Sequence, residues 1–225
     1  MTFDLSPFSM VVVSGTQAEA FLQSQLTCDV IQASDTTALL GAHCNIKGRM
    51  VSLFHLFKHL DSFCLVMPEN VIEIAAKALK KYAQFSKEVD ITIETDLPFV
   101  GVMDEPADII LGNAPHYGLK RSDIKGKGTF ADWQDAMIQN HHAWLTPETL
   151  GKFLPHDINL PKLGGVSFKK GCFIGQEIIA RMEYLGKLKK HVKLILPAEI
   201  TADETEICRS CNHVLVISMK NREVT

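Results

Sequence analysis

Residues 9–26 read Ser9-Met10-Val11-Val12-Val13-Ser14-Gly15-Thr16-Gln17-Ala18-Glu19-Ala20-Phe21-Leu22-Gln23-Ser24-Gln25-Leu26. The β-branched run at 9–14 predicts a strand, and Gly15 turns the chain out of it. Thr16 and Glu19 carry the spacing of a capping box, and Ala18, Phe21, Leu22 and Leu26 then recur at helical intervals, a stripe suited to a core. Working outward, residues 50–60 and 62–67 read as two strands joined through Asp61-Ser62. Residues 69–82 follow as an amphipathic helix with Ile72, Ala75, Ala76, Leu79 and Tyr82 on one side. Strand, helix, two strands and helix make an α+β layer.

Further along the pattern loosens. Residues 97–133 hold one strand candidate, 99–103, followed by Pro106, Pro115 and the run Lys125-Gly126-Lys127-Gly128, so this part reads as a shortened or irregular subdomain. The Lys/Gly run suits either a phosphate contact or a solvated turn. Residues 178–185 read as helix, and 190–196 and 213–219 as strands of a small β unit.

The 225 residues, 46% apolar and 22% charged with a formal charge of −3, describe a folded chain with no global attraction for nucleic acid. Any polyanion site must be local. Neither a basic leader running into an apolar stretch nor about 18 consecutive apolar residues is present, so the expectation is a cytosolic protein without membrane spans. Six cysteines without a compact framework read as reduced thiols.

The densest chemistry lies in Lys169-Lys170-Gly171-Cys172-Phe173-Ile174-Gly175-Gln176-Glu177. Gly171 and Gly175 let the backbone bend tightly around Cys172. With Gly175-Gln176-Glu177 opening a helix and Lys169 and Lys170 adjacent, the surroundings favour a reactive thiolate. The competing reading makes Cys172 a small buried hydrophobe in a tight corner. A base would have to arrive through the fold, with His156 and His191 as candidates. Glu177 and Arg181, four apart, suit either a helix-face ion pair or the polar edge of a ligand. Cys208-Arg209-Ser210-Cys211-Asn212-His213 has the spacing of half a zinc site or a redox pair, but without a second ligand pair a turn between strands is the preferred reading. His141-His142 is read as a surface pair.

Leu163-Gly164-Gly165-Val166-Ser167-Phe168, continuing through the cysteine run to Ile178-Ile179-Ala180-Arg181-Met182, resembles the signature of the YgfZ-type folate-binding proteins, relatives of the glycine-cleavage T protein. Residues 21–29, 42–49, 81–86 and 153–156 resemble the family's other landmarks, in order. The resemblance implies a T-protein-like folate-binding α+β fold, in which three domains close around a folate-lined hole. It also implies tetrahydrofolate or a derivative as the ligand, and a role supporting iron–sulfur enzymes or cluster-assembly proteins, including those that methylthiolate tRNA. Direct tRNA contact is left open. The family's essential cysteine corresponds to Cys172, and its folate-contacting aromatics fall at Phe8 and Trp133. Lys170, Gly171, Gln176, Glu177 and Arg181 join them as expected ligand-binding positions, with no metal ligands expected. Trp133 could equally be a plain core residue. Lys47, Arg49, Lys187, Lys189 and Lys190 suit a basic rim for a folate glutamate tail or RNA phosphate.

Against the family pattern, Phe8 stands in place of a tryptophan, residues 138–142 lack a glycine, the middle domain is shortened and the C-terminal β-barrel is reduced. The expected division is 1–96 as the N-terminal α+β domain, 97–188 as the shortened middle region with the cysteine loop and helix, and 189–225 as the reduced β domain. Aminomethyltransferases carry an acidic residue shortly after the glycine that here is Gly48, yet Arg49-Met50-Val51-Ser52 follows. An accessory folate-binding protein is therefore expected ahead of a one-carbon transferase, with a reduced paralogue that binds only proteins as the third reading.

Overall fold

The computed structural model describes residues 1–86, 88–111, 116–186 and 190–218. Strand β1 (Thr2–Phe3) leads into β2 (Phe8–Ser14), helix α1 (Ala18–Gln25), strands β3 (Thr37–Cys44), β4 (Met50–His59) and β5 (Ser62–Pro68), helix α2 (Glu69–Ala83) and β6 (Asp90–Glu94). Then follow β7 (Phe99–Met103), β8 (Ile109–Leu111), β9 (Tyr117–Arg121), α3 (Phe130–Gln139), α4 (Gln176–Leu185) and the strands β10 (His191–Ile195), β11 (Glu204–Arg209) and β12 (Val214–Ser218). One nine-stranded sheet runs β1-β7-β9-β8-β3-β4-β5-β2-β6, and a three-stranded sheet runs β10-β12-β11. Every pairing in the large sheet is antiparallel except β3 with β8, where Thr37 faces Ile110.

The valine run of β2 sits in the large sheet with both faces covered. Val11 and Val13 point into the cluster built by α1 and α2, while Phe8, Met10 and Val12 pack on the cluster that holds β7, β9 and Trp133. Burial on both faces is what a continuous β-branched run serves. The expected stripes on α1 and α2 face the first cluster, through Phe21 and Leu22 and through Ile72, Ala75, Ala76 and Leu79.

Several expectations are corrected. The capping box is not formed, because Gln17 is the N-cap and makes no side-chain cap bond. Thr16 instead donates to Glu88, and Glu19 accepts from Lys58 Nζ at 2.9 Å. The middle region is not irregular, since β7, β8 and β9 belong to the large sheet. The Lys/Gly run lies along β1, where Asp4 N donates to Gly128 O at 3.0 Å and Gly128 N to Thr2 O at 2.8 Å. Strands β1, β3, β6, β8, β9 and β11 were not expected. In β3, small residues serve close approach rather than strand propensity: a Cβ on Gly41 would stand 2.6 Å from Cys28 Sγ and 3.0 Å from the Phe54 ring. No described helix is long and apolar enough to cross a membrane.

Candidate functional site

Beside the large sheet a narrow cavity opens between β2, β4, β5 and α3, with the chain after α3 closing it. Phe8 and Trp133, 125 residues apart in sequence, both line it. Trp133 is 4% exposed and is held by Phe3 (ring centroids 5.6 Å apart) and, edge-on, by Tyr117 at 5.7 Å. Its six-membered ring lies over Gly101, where an added Cβ would meet Cε3 at 2.7 Å. Trp133 is thus both a core residue and a wall of the cavity. Phe8 packs edge-on against Phe130 at 5.3 Å. Leu40, Leu53 and Trp144 add apolar surface, and the space open to the centre of a water molecule is about 40 Å³. That admits a few waters. A fused ring would enter only by displacing side chains that now close the gap.

The cavity's polar feature is a pair of histidines. The rings of His55 on β4 and His142, beyond α3, stack at 6.3 Å with 20° between their planes. His55 Nε2 and His142 Nδ1 are buried and find no hydrogen-bond partner among the described residues. Burial, reinforced by His142, pulls His55 down to about 3. Burial, reinforced by His141, pulls His142 down to about 4. Both rings are neutral at neutral pH. The reading of His141-His142 as a surface pair is thus half corrected, since His142 is 3% exposed. His55 went unnoticed, although a polar residue between Leu53 and Phe57 on the inward face of β4 was the available signal.

The cysteine loop forms a second centre. Gly175, at φ +81°, is the N-cap of α4. It presses on the turn at residues 45–48, where its Cβ would stand 2.7 Å from Asn45 O and 2.9 Å from Gly48 Cα. Gly48 itself has φ +71° and packs under Ile178. Ile174 N donates to Ser24 O at 3.2 Å and Ser167 N to Thr27 O at 2.9 Å, while Thr27 Oγ1 donates to Gly165 O at 2.6 Å. Lys170 Nζ donates to Leu26 O at 2.8 Å and Cys28 O at 2.7 Å, and lies 5.3 Å from the centre of the Phe173 ring. Burial lowers this amine to about 8, against the pull of Cys28 and Asp29. Its ammonium clamps the loop to residues 26–28. Cys172 is exposed, which overturns the buried-hydrophobe reading.

The landmark segments therefore converge. Met50 N donates to Phe153 O at 2.9 Å, Arg49 donates to Lys152 O, and the His43 ring meets Tyr82 edge-on at 6.1 Å. Phe8 and Trp133 share the cavity, whereas Lys170, Gly171, Cys172, Gln176, Glu177 and Arg181 belong to the loop and α4 and are not among its lining residues. Glu177 and Arg181 form an exposed pair at 3.7 Å. His156 Nε2 lies 3.0 Å from Glu183 Oε2, so this nitrogen is engaged by a carboxylate. Of the basic rim, Lys47 is exposed, Arg49 bonds Lys152 O, and Lys190 lies 3.9 Å from Asp157; Lys187 and Lys189 fall outside the described residues. Cys208 is buried on β11, with its thiol pushed up to about 12 by burial, while Cys211 is exposed. Among the described residues no group of three or more His, Cys, Asp or Glu could hold a metal.

No protein-family model matches the chain. It is 31% identical over 225 residues to the tRNA-modifying protein YgfZ of Vibrio atlanticus, covering 87% of this chain and 69% of that one. It is also 31% identical over 229 residues to the protein of the same name from Escherichia coli O157:H7, covering 85% and 70%. An uncharacterized protein of Haemophilus influenzae is 35% identical over 200 residues, covering 83% and 70%. Among solved structures, the glycine cleavage system aminomethyltransferase T of Bartonella henselae superposes with a TM-score of 0.67 over 96% of this chain and 77% of its own, at 13% identity. That likeness establishes the T-protein-like α+β fold. With the landmark segments gathered around the Gly175–Gly48 contact and relatives this similar over most of the chain, the protein belongs to the YgfZ family.

Proposed function

We propose that the chain is a folate-binding accessory protein of the cytosol, which takes tetrahydrofolate or a derivative into the cavity and supports iron–sulfur enzymes or their cluster-assembly partners in tRNA modification. The observation that carries this reading is the meeting of Phe8 and Trp133 at one cavity that also holds two buried, unpartnered histidine nitrogens. The residues fit a folate ring in kind: flat aromatic faces suit stacking, and orphaned nitrogens suit a polar ring edge. A reduced folate, when bound, would supply ring nitrogens able to carry a one-carbon unit. The protein's own part is to present π surface through Phe8 and Trp133, to exclude water through Leu40 and Leu53, and to open far enough to admit the ring.

Lining residues come from both sides of position 96, from Leu5 to Pro68 and from Leu111 to Trp144. In this reading residues 1–96 and 97–188 close on the ligand together, and residues 189–225 form the reduced β domain. No carboxylate is found among the described lining residues, so the acidic group that aminomethyl transfer uses at a folate nitrogen has no counterpart there, and the two histidines, lowered by burial, are weak bases. Aminomethyl transfer ranks second for that reason. The exposed Cys172 is the reactive group that meets a macromolecular partner.

Titration calorimetry with 5-formyltetrahydrofolate tests the reading. The wild type is expected to bind, Trp133→Ala to lose at least about tenfold in affinity, the equivalent of roughly 1.4 kcal/mol, and Cys172→Ala to bind as the wild type does. In cells lacking their own family member, Cys172→Ala is expected not to restore tRNA methylthiolation. Absence of binding by the wild type at high ligand concentration defeats the proposal.

A further inference from the structure

Two imidazoles stacked in an apolar cavity are an unusual pair of groups to bury. Each carries a nitrogen with no partner among the described residues, and an unsatisfied buried polar atom is a net cost to the folded protein. Since the pulled-down rings are neutral at physiological pH and no carboxylate lines the cavity among the described residues, the pair offers hydrogen bonds without charge. A neutral imidazole has one donor and one acceptor nitrogen, and which nitrogen plays which part is free to follow the ligand.

We propose that His55 and His142 are specificity-determining residues that read the hydrogen-bonding edge of an uncharged 4-oxo heterocycle in the cavity lined by Phe8 and Trp133, and select it over the cationic 2,4-diamino ring. This rests on the folate reading of the same cavity. A ring amide edge places a donor beside an acceptor and carries no charge, which two neutral histidines match. A protonated diamino ring presents only donors at that edge and a positive charge, for which the cavity provides no carboxylate.

The test compares folic acid with aminopterin, which carries a 4-amino group in place of the 4-oxo group and is otherwise the same molecule, with 5-formyltetrahydrofolate as the reference for the folate reading. It uses the full chain at pH 5, where the diamino ring is largely protonated while both histidines stay neutral, and measures unfolding of the ligand-free protein in parallel. The wild type is expected to prefer the oxo ring by at least about tenfold. His55→Phe and His142→Phe are each expected to lose about tenfold in affinity for it, the size of one hydrogen bond. The two substitutions together should abolish the preference. Trp133→Ala should weaken both ligands alike. His142→Asn, which keeps a polar atom, should retain more affinity than His142→Phe.

Stability separates recognition from a structural role. Removing an orphaned nitrogen should leave the Tm of the ligand-free protein unchanged or raised while affinity falls. Binding of both rings with equal affinity, or phenylalanine variants that bind as the wild type does, overturns the assignment and leaves the folate reading standing. Variants that lose affinity only in proportion to lost Tm overturn it too. A wild type that binds none of the three ligands overturns both.

Discussion

Among the six cysteines, position in the fold decides chemistry more than sequence neighbours do. Burial pushes Cys28 up to about 12, with Lys170 only partly offsetting it, Cys44 to about 12, Cys64 to about 11 and Cys208 to about 12. Because the thiolate is the nucleophile, these four are silent twice over, shielded from reagent and held protonated. Cys172 and Cys211 are exposed. Brief iodoacetamide treatment of the native protein near pH 8 is expected to give adducts on Cys172 and Cys211 alone, read by peptide mass spectrometry, with the other four appearing only after denaturation. Early labelling of Cys28 or Cys44 would show that the core beneath the loop is open. The sequence made Cys172 conspicuous through its glycines and lysines, but it did not disclose that Lys170 turns inward to the carbonyls of Leu26 and Cys28. A lysine beside a cysteine in the chain says nothing of the carbonyls that a distant turn will bring.

Elements are held together here by backbone approaching backbone, and the contact between the N-cap of α4 and the turn at residues 45–48 is the clearest case. Gly175→Ala combines two penalties: a left-handed backbone, costing about 1–2 kcal/mol for a residue with a Cβ, and a Cβ 2.7 Å from Asn45 O. Gly164 provides the control, since it too is left-handed at φ +76° but has nothing within 4 Å of an added Cβ. Gly164→Ala is expected to show the conformational penalty only, and Gly175→Ala a clearly larger fall in urea midpoint together with faster amide exchange in α4. Equal losses in the two variants would mean that the contact adds nothing. Elements with strong periodicity, β2, β4, β5 and α2, were legible from pattern, as was the helix after the cysteine loop. Strand β3 was not, because its Gly41 answers to the packing of Cys28 and Phe54 and not to strand propensity. The cavity was legible only in part: Phe8 and Trp133 came from the family resemblance, while His55 and His142 have meaning only once β4 and the chain after α3 lie side by side.

At the scale of the whole molecule, three histidines set its response to acid. His43 on β3 is 1% exposed, has both ring nitrogens unpartnered among the described residues, and is pulled down to about 4 by burial. His142 is likewise at about 4 and His55 at about 3, against an ordinary value of 6.5. His43 is sealed on β3, while His55 and His142 line the cavity with a buried, unpartnered nitrogen each, so protonating any of them means placing an unpaired charge in apolar surroundings or opening the structure around it. The folded pKa values lie below the unfolded ones. Stability is therefore complete above about pH 6.5 and is lost as pH falls toward about 4, because only the unfolded chain takes up protons in that window. A depression from 6.5 to about 4, as at His43, is worth roughly 3 kcal/mol, a sizeable fraction of the stability of an ordinary domain. Urea unfolding at pH 7.5, 5.5 and 4.5 is expected to show a steep loss across this range, and His43→Leu should flatten it while leaving stability at pH 7.5 equal or higher. A His43→Leu protein whose stability falls with pH as steeply as the wild type would show that His43 is protonated in the folded state, and so is not sealed between β3 and α2.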